Sequence, residues 1–292
     1  MTISWYPGHM AKSKRLLLEQ LKRVHAVIEI CDARIPLSSR NPQLKTLTEH
    51  KPHILLMNKA DLASPGETKK WLKYFTAMGE TVIALEANKP AGVKQVVSAI
   101  KKATEDQVAR AELRGLKKTL RVMVVGVPNV GKSTLINSLV GRSPLKTEDR
   151  PGVTRSNQWV KLDPYLELMD SPGLLWPRLD SQLAARRLAY IAAIRDEVLD
   201  TYELSISLLA DLMETAPRAV AERYKVTDVG LRGAALLESI CRGRGFLLPG
   251  AEPDIDRAVA TVLNEFRDGR IARITLEKAP DPEGNNDIQK EG

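Results

Sequence analysis

One octapeptide constrains the fold of this chain more tightly than any other feature. Leu120–Val125 reads LRVMVV, the most strand-like run in the sequence, and leads straight into GVPNVGKS at 126–133. The residues that follow, up to Val140, keep a helix-compatible pattern. A buried strand, a G-x-x-x-x-G-K-S turn and a helix in that order make a phosphate-binding loop. Its glycines let backbone N–H groups approach an anion closely, at a helix N-terminus that already favours negative charge. Val130, Gly131, Lys132, Ser133 and Thr134 are therefore the expected phosphate contacts. The Lys132 ammonium would face the β- and γ-phosphates, and the Ser133 hydroxyl would serve Mg²⁺.

Such a loop belongs at the edge of an α/β sheet, and the rest of the chain supplies one. Apolar runs at 24–31, 53–57 and 81–85 each end in polar residues, and 157–162 and 165–169 add two more strand-like segments. Helix-like stretches at 65–78, with Pro65 near its start, and at 92–103 alternate with the first runs. Residues 104–118 read as a charged surface helix or linker. Strands apolar on both faces, alternating with helices, indicate a six-stranded, mostly parallel sheet.

Beyond about residue 180 the strand signal gives way to helical periodicity. In 254–268, Ile255, Ala258, Val259, Val262, Leu263 and Phe266 share one face, Asp254 suits the cap and Gly269 the stop. Pro217 suits the first turn of another helix. The expected organisation is a basic N-terminal arm and helix (1–23), a nucleotide domain (24–178), a small all-helical C-terminal domain (179–278) and a disordered tail (279–292). In the N-terminal helix, expected over 11–23, Leu16, Leu17, Leu21 and Val24 fall on one side.

Two further motifs complete a nucleotide site. D-x-x-G at Asp170 to Gly173 follows the last apolar run. A carboxylate at a strand tip reaches the Mg²⁺ shell through water, and the Gly173 N–H suits the γ-phosphate. Between the two motifs, RPGVTR at 150–155 places Thr154 in a polar loop, where it would complete Mg²⁺ coordination only with the triphosphate bound. Asn58-Lys59-Ala60-Asp61 follows the run HILLM. An Asp carboxylate accepts both the N1–H and the N2–H₂ of guanine, a pattern adenine lacks, while Asn58 adds contacts and the Lys59 stem covers the ring. Glu86 and Ala87, after the next strand, stand where a loop often backs the base, although a Ser-Ala pair is more usual there. GTP and GDP are the expected ligands.

The base-reading motif here precedes the phosphate loop, the reverse of the usual order. That order resembles the circularly permuted ribosome-assembly GTPases. WYPGHM at 5–10, DARIP at 32–36, SRNP at 39–42 and FRDGRIARITLE at 266–277 resemble the ribosome biogenesis GTPase A (RbgA/YlqF) group almost to the end of the chain. The resemblance implies a permuted P-loop GTPase that acts on a large ribosomal subunit precursor, through rRNA and ribosomal proteins, in the cytoplasm. It also bears on hydrolysis. Leu174 follows D-x-x-G where many GTPases place a water-orienting Gln. The resemblance implies that His9, read as part of a turn before the basic helix, directs the attacking water once the target is bound; positioning the arm or contacting RNA is the alternative. Related GTPases with Leu or Ile in place of that Gln use an Asn at the position of Asn129 to hold K⁺, so turnover is expected to be faster in KCl than in NaCl; an Asn that only makes hydrogen bonds within the loop is the alternative.

Composition agrees with these readings. Lys and Arg number 44 against 36 Asp and Glu, a net +8. Lys12, Lys14, Arg15, Lys22 and Arg23 gather near the start, and Arg242 and Arg244 in what reads as a Gly-rich turn, so a nucleic-acid partner is expected. No apolar run is long enough to span a bilayer, and no membrane partner is expected. Cys31 and Cys241 read as buried small hydrophobes, and His25, His50 and His53 as structural or surface groups. A monomer is the default. The competing reading is an rRNA-binding scaffold with a structural nucleotide and little turnover.

Overall fold

The computed structural model describes residues 8–141, 158–171 and 181–280, with the backbone alone at 8–14, 158, 163 and 170. It contains the six-stranded sheet. β1 (Ala26–Asp32), β2 (His53–Asn58), β3 (Thr81–Ala84), β4 (Leu120–Val125), β5 (Gln158–Asp163) and β6 (Leu166–Asp170) run in the order β3-β2-β1-β4-β6-β5. All neighbouring pairs are parallel except β5 with β6. The first three strands build outward on one side of β1, and the chain then crosses back to lay β4 on its other side. The β1/β4 boundary is thus the topological switch point, where a crevice opens beyond the carboxyl ends of the strands. The strand that carries the base-reading motif precedes the phosphate-loop strand in the chain, so the sheet has the permuted topology.

β1 is buried at every position. Ile28 and Ile30 face one apolar cluster, whereas Val27 and Cys31 face clusters on the other side, the period-two division of a strand covered on both faces. α2 (Leu44–Leu47) is a single turn between β1 and β2, and α3 (Pro65–Ala77) begins at a proline, with Ser64 Oγ accepting from Glu67 N at 3.4 Å. α4 (Pro90–Glu112) is longer than the 92–103 expected. The charged residues after 103 are good helix formers without a breaker, and Val96, Ile100 and Thr104 anchor the helix on the sheet.

α1 (Gly8–Leu21) begins earlier than expected, so His9 lies in its first turn and not in a preceding turn. Nothing after Pro7 and Gly8 breaks the helix, and its chain can wind from there. Leu17, Leu21 and Val24 are buried as expected, but Leu16 is 41% exposed and Gln20 takes its place in the stripe. α1 packs through Leu17 and Leu21 against Met123, Val125 and Met169, which leaves Arg15, Lys22 and Arg23 in solvent.

The C-terminal helices are α6 (Gln182–Tyr190), α7 (Thr201–Thr215), α8 (Pro217–Tyr224), α9 (Gly233–Arg244) and α10 (Ile255–Arg267). Asp200 caps α7 through Glu203 N at 3.0 Å, and Asp254 caps α10 through Arg257 N at 3.1 Å. Their core residues, among them Leu188, Leu208, Ile240 and Val262, join the sheet's Ile30 and Val124 in one continuous cluster. Arg242 and Arg244 lie in the last turn of α9 and not in a loop, a position where cations complement the helix dipole. Beyond α10 the chain is not helical: residues 270–279 form an extended strap laid against the nucleotide-binding half. Among the described residues, no helix is long and apolar enough to cross a membrane.

Candidate nucleotide site

The loop 126–133 joins β4 to α5 (Lys132–Val140) at the switch point. Two of its glycines are required by contact. A Cβ at Gly126 would stand 2.5 Å from Ile30 O of β1. Gly131 has φ +98° and would bring a Cβ to 2.3 Å from Asn58 Nδ2. Asn129, at φ 62°, and Gly131 both adopt the left-handed conformation that turns successive N–H groups into an anion-binding concavity. Lys132 is buried, with Nζ donating to Val127 O at 2.8 Å. Ser133 and Thr134 follow in the first turn of α5.

The base-reading motif is built into the same loop. Asn58 Nδ2 donates to Val130 O at 2.7 Å, and its Oδ1 accepts from Ala87 N at 2.9 Å. One buried amide therefore ties the phosphate loop, the end of β2 and the loop after β3 together. Lys59 Nζ donates to Asn129 O at 2.6 Å, which draws its stem across the phosphate loop. Ala60 N donates to Leu85 O at 3.2 Å. Asp61 is exposed at the rim, with its carboxylate available to a ligand. Glu86 lies 3.9 Å from Lys89, while Ala87 is buried behind the motif.

Residues known in the sequence only as parts of DARIP and SRNP turn out to be buried ion pairs. Asp32 accepts from Arg34 Nε at 2.9 Å and Nη2 at 2.8 Å, and lies 3.4 Å from Lys59 Nζ. Burial pushes the Asp32 carboxyl up, but the charges of Arg34 and Lys59 and the hydrogen bonds from Arg34 outweigh it, holding the group at about 2. Arg34 continues across the fold. Its Nη1 donates to Phe266 O at 2.8 Å and Arg267 O at 3.1 Å, capping α10, and its guanidinium lies 5.0 Å from the centre of the Phe266 ring. Glu29, inside β1, pairs with Arg40 at 2.8 Å and accepts from Asn41 N at 2.9 Å. Charges like these look solvated in a sequence, and only burial shows them to be paired structural groups.

A second tie runs from the phosphate loop itself. Asn129 Nδ2 donates to Ala192 O at 2.6 Å, and Ala192 has φ 55° in the turn after α6. Arg267 braces the same turn through Asp196 at 2.7 Å and Tyr190 O at 3.1 Å. The phosphate loop is thus bonded directly to the C-terminal helices.

On the Mg²⁺ side, the register pairs Val124 with Asp170, which sets the backbone of Asp170 beside the strand that feeds the phosphate loop. Ser171 Oγ donates to Val124 O at 2.6 Å and fixes that strand end. Ser133 in the first turn of α5 and Asp170 at the neighbouring strand tip are both oxygen-bearing residue types, the donors that Mg²⁺ prefers. Thr154 and Gly173, together with Leu174, lie outside the described residues, as do the side chains of His9 and Asp170.

Of the remaining histidines, His25 and His53 have structural settings, whereas His50 is exposed. His25 Nδ1 accepts from Arg121 N at 2.9 Å, joining the starts of β1 and β4. Burial lowers its pKa, helped by Lys118, Lys51 and Arg121. His53 is also lowered, mainly by burial. Cys31 and Cys241 are both buried and free.

Comparisons with known proteins agree with this geometry. A family model described as "50S ribosome-binding GTPase" matches residues 121–223. The chain is 40% identical to ribosome biogenesis GTPase A of Priestia megaterium, over 97% of this chain and 99% of that one. It is 30% identical to the Thermotoga maritima protein of the same name, over 99% and 98%. The crystal structure of GNP-bound YlqF from T. maritima matches with a TM-score of 0.66 and 27% identity, covering 92% of this chain and 99% of that one.

Proposed function

The chain belongs to the ribosome biogenesis GTPase A family, and from that premise we propose that it binds the immature large ribosomal subunit in its GTP state and leaves after hydrolysis. The single observation that carries the coupling is the Asn129 to Ala192 hydrogen bond, which joins the phosphate loop to the C-terminal helices. A change in the phosphate loop on nucleotide exchange or hydrolysis is felt there without passing through a second domain interface.

In this reading the backbone N–H groups of 126–133 cradle the phosphates, and Lys132 turns from Val127 O toward the β- and γ-oxygens. Asp61 accepts from the guanine edge, and Asn58 and Lys59 hold the reading loop to the phosphate loop. Ser133, Asp170 and Thr154 would hold Mg²⁺, which neutralises charge on the β- and γ-phosphates. Asn129, whose Nδ2 donates to Ala192 O, would offer its Oδ1 to K⁺, which would supply a second positive charge near the phosphates. Gly173 and the motif around it report the γ-phosphate, and the switch leads directly into α6. Arg15 on the solvent face of α1, Lys22 and Arg23 just after that helix, and Arg242 on α9 contact rRNA. Arg244 is less available, because it already lies 3.7 Å from Glu265 and donates to Arg223 O. The protein works in the cytoplasm as a monomer.

His9 orients the attacking water once α1 is seated on the subunit. His9→Ala is expected to lower subunit-stimulated turnover by more than about tenfold while leaving GTP affinity nearly unchanged. Equal losses in turnover and affinity would refute that role. The broader proposal is tested by single-turnover hydrolysis with and without purified large subunits: the rate rises strongly with them, whereas a structural nucleotide would not turn over in either case.

A further inference from the structure

The turn that reads guanine is held from the far end of the chain. After α10 the strap returns along residues 60–64. Ile274 N donates to Leu62 O at 3.0 Å. Arg273 donates through Nη2 to Ala60 O at 3.0 Å and through Nε to Ala63 O at 3.3 Å. The buried Thr275 hydroxyl accepts from Ser64 N at 3.1 Å and donates to Ala33 O at 3.3 Å. On either side of Asp61, the carbonyls of Ala60, Leu62 and Ala63 are therefore engaged by Arg273 and Ile274, and Thr275 takes the N–H of Ser64 at the end of the turn. The strap is itself pinned: Leu276 N donates to Arg34 O at 2.8 Å, the Trp71 indole to Glu277 O at 2.8 Å, and the Glu277 carboxylate accepts from Leu37 N at 2.5 Å.

This bracing has something to oppose. Lys59 enters the turn with φ 58°, a left-handed backbone that a long side chain seldom adopts. Such a conformation persists where its surroundings over-determine it. Asp61 is exposed and takes its direction from the backbone on either side. A carboxylate that must accept two hydrogen bonds from one base edge needs that backbone fixed closely.

We propose that the strap is a working part of the nucleotide site, with Arg273 and Thr275 as positioning residues for guanine recognition by Asp61. The proposal rests on the guanine reading given above. It predicts a loss confined to the base. Loosening the turn misaligns Asp61 with the exocyclic amine that distinguishes guanine from hypoxanthine, while the phosphate loop keeps its contacts.

The test measures binding of GDP, inosine diphosphate and ADP to the full-length protein and to Arg273→Ala, Arg273→Lys and Thr275→Val. Arg273→Ala and Thr275→Val are each expected to weaken GDP about tenfold and to lower the ratio of GDP to inosine diphosphate affinity, since the first removes two hydrogen bonds from the turn and the second removes one from the turn and one that pins the strap to Ala33. Arg273→Lys, which still reaches one carbonyl, recovers part of the loss. A strap that serves stability alone would lower the thermal midpoint and leave the ratio at its wild-type value, and that result overturns the proposal. Thr275→Val is close to isosteric and carries the same readout if Arg273→Ala fails to fold. Asp61→Asn in the same assay separates the two claims. If it does not shift preference toward xanthosine diphosphate, the guanine reading is wrong; if it does, and the strap variants keep the wild-type ratio, only the brace is.

Discussion

Lys132→Ala is expected to abolish most GTP hydrolysis, lowering kcat/KM by at least about a hundredfold, the scale of removing one preorganised donor from a charged transition state. The reasoning begins with the chain. Lys132 is the first residue of α5, behind a left-handed Gly131, so its stem leaves the helix N-terminus within the concavity of the loop. It is buried, and its ammonium hydrogen-bonds to Val127 O. A buried cation held by a loop carbonyl is a poor final partner but a good placeholder: the phosphates offer full negative charge in the same low-dielectric setting. Alanine removes that charge and leaves the backbone donors, so residual nucleotide binding is expected without efficient turnover. Alanine is also a strong helix former at the start of α5, so the fold should be kept. Single-turnover hydrolysis beside a thermal melt checks this. Near-normal turnover in a folded variant would mean that the loop does not act on phosphate as described.

The second large effect concerns the base. Asp61→Asn is expected to weaken GDP by about a hundredfold or more, because a site that hydrogen-bonds a ligand group discriminates strongly when the pairing is broken. An amide cannot accept from both N1–H and N2–H₂ of guanine, since one of its two positions is a donor. The same amide suits xanthine, which carries a carbonyl where guanine has its amine, so xanthosine diphosphate should become the preferred ligand. Asp61 is exposed and the turn is held through backbone carbonyls, so folding should be little affected. Competition binding with the two diphosphates reads the outcome directly; a variant that still prefers GDP contradicts the assignment of Asp61.

Much of this architecture was legible in the residues. LRVMVV before GVPNVGKS announced the strand and loop because an apolar run and a glycine turn are local signals, and β4 spans Leu120–Val125 as read. The order of Asn58–Asp61 and the phosphate loop announced the permuted sheet, and Asp254 capped α10 as its side-chain chemistry suggested. What stayed hidden is non-local. Arg34 capping α10, Asn129 reaching Ala192 and Thr275 bridging Ala33 and Ser64 join parts of the chain that no periodicity relates. The strap has too little regular pattern to be told from a linker, and its hydrogen bonds belong to a partner surface that exists only after folding. The start of α1 was misplaced for a simpler reason: Pro7 and Gly8 read as a turn, but they are also a sound entry to a helix.

The phosphate loop, the base-reading turn and the C-terminal helices are joined by hydrogen bonds, and the proposed function requires that unit to answer to the γ-phosphate. The most direct measurement is co-sedimentation of the protein with purified large and small ribosomal subunits, in GDP and in a non-hydrolysable GTP analogue. The account predicts that the protein travels with the large subunit in the analogue and is released in GDP. Equal association in both nucleotides, or a preference for the small subunit, would contradict it.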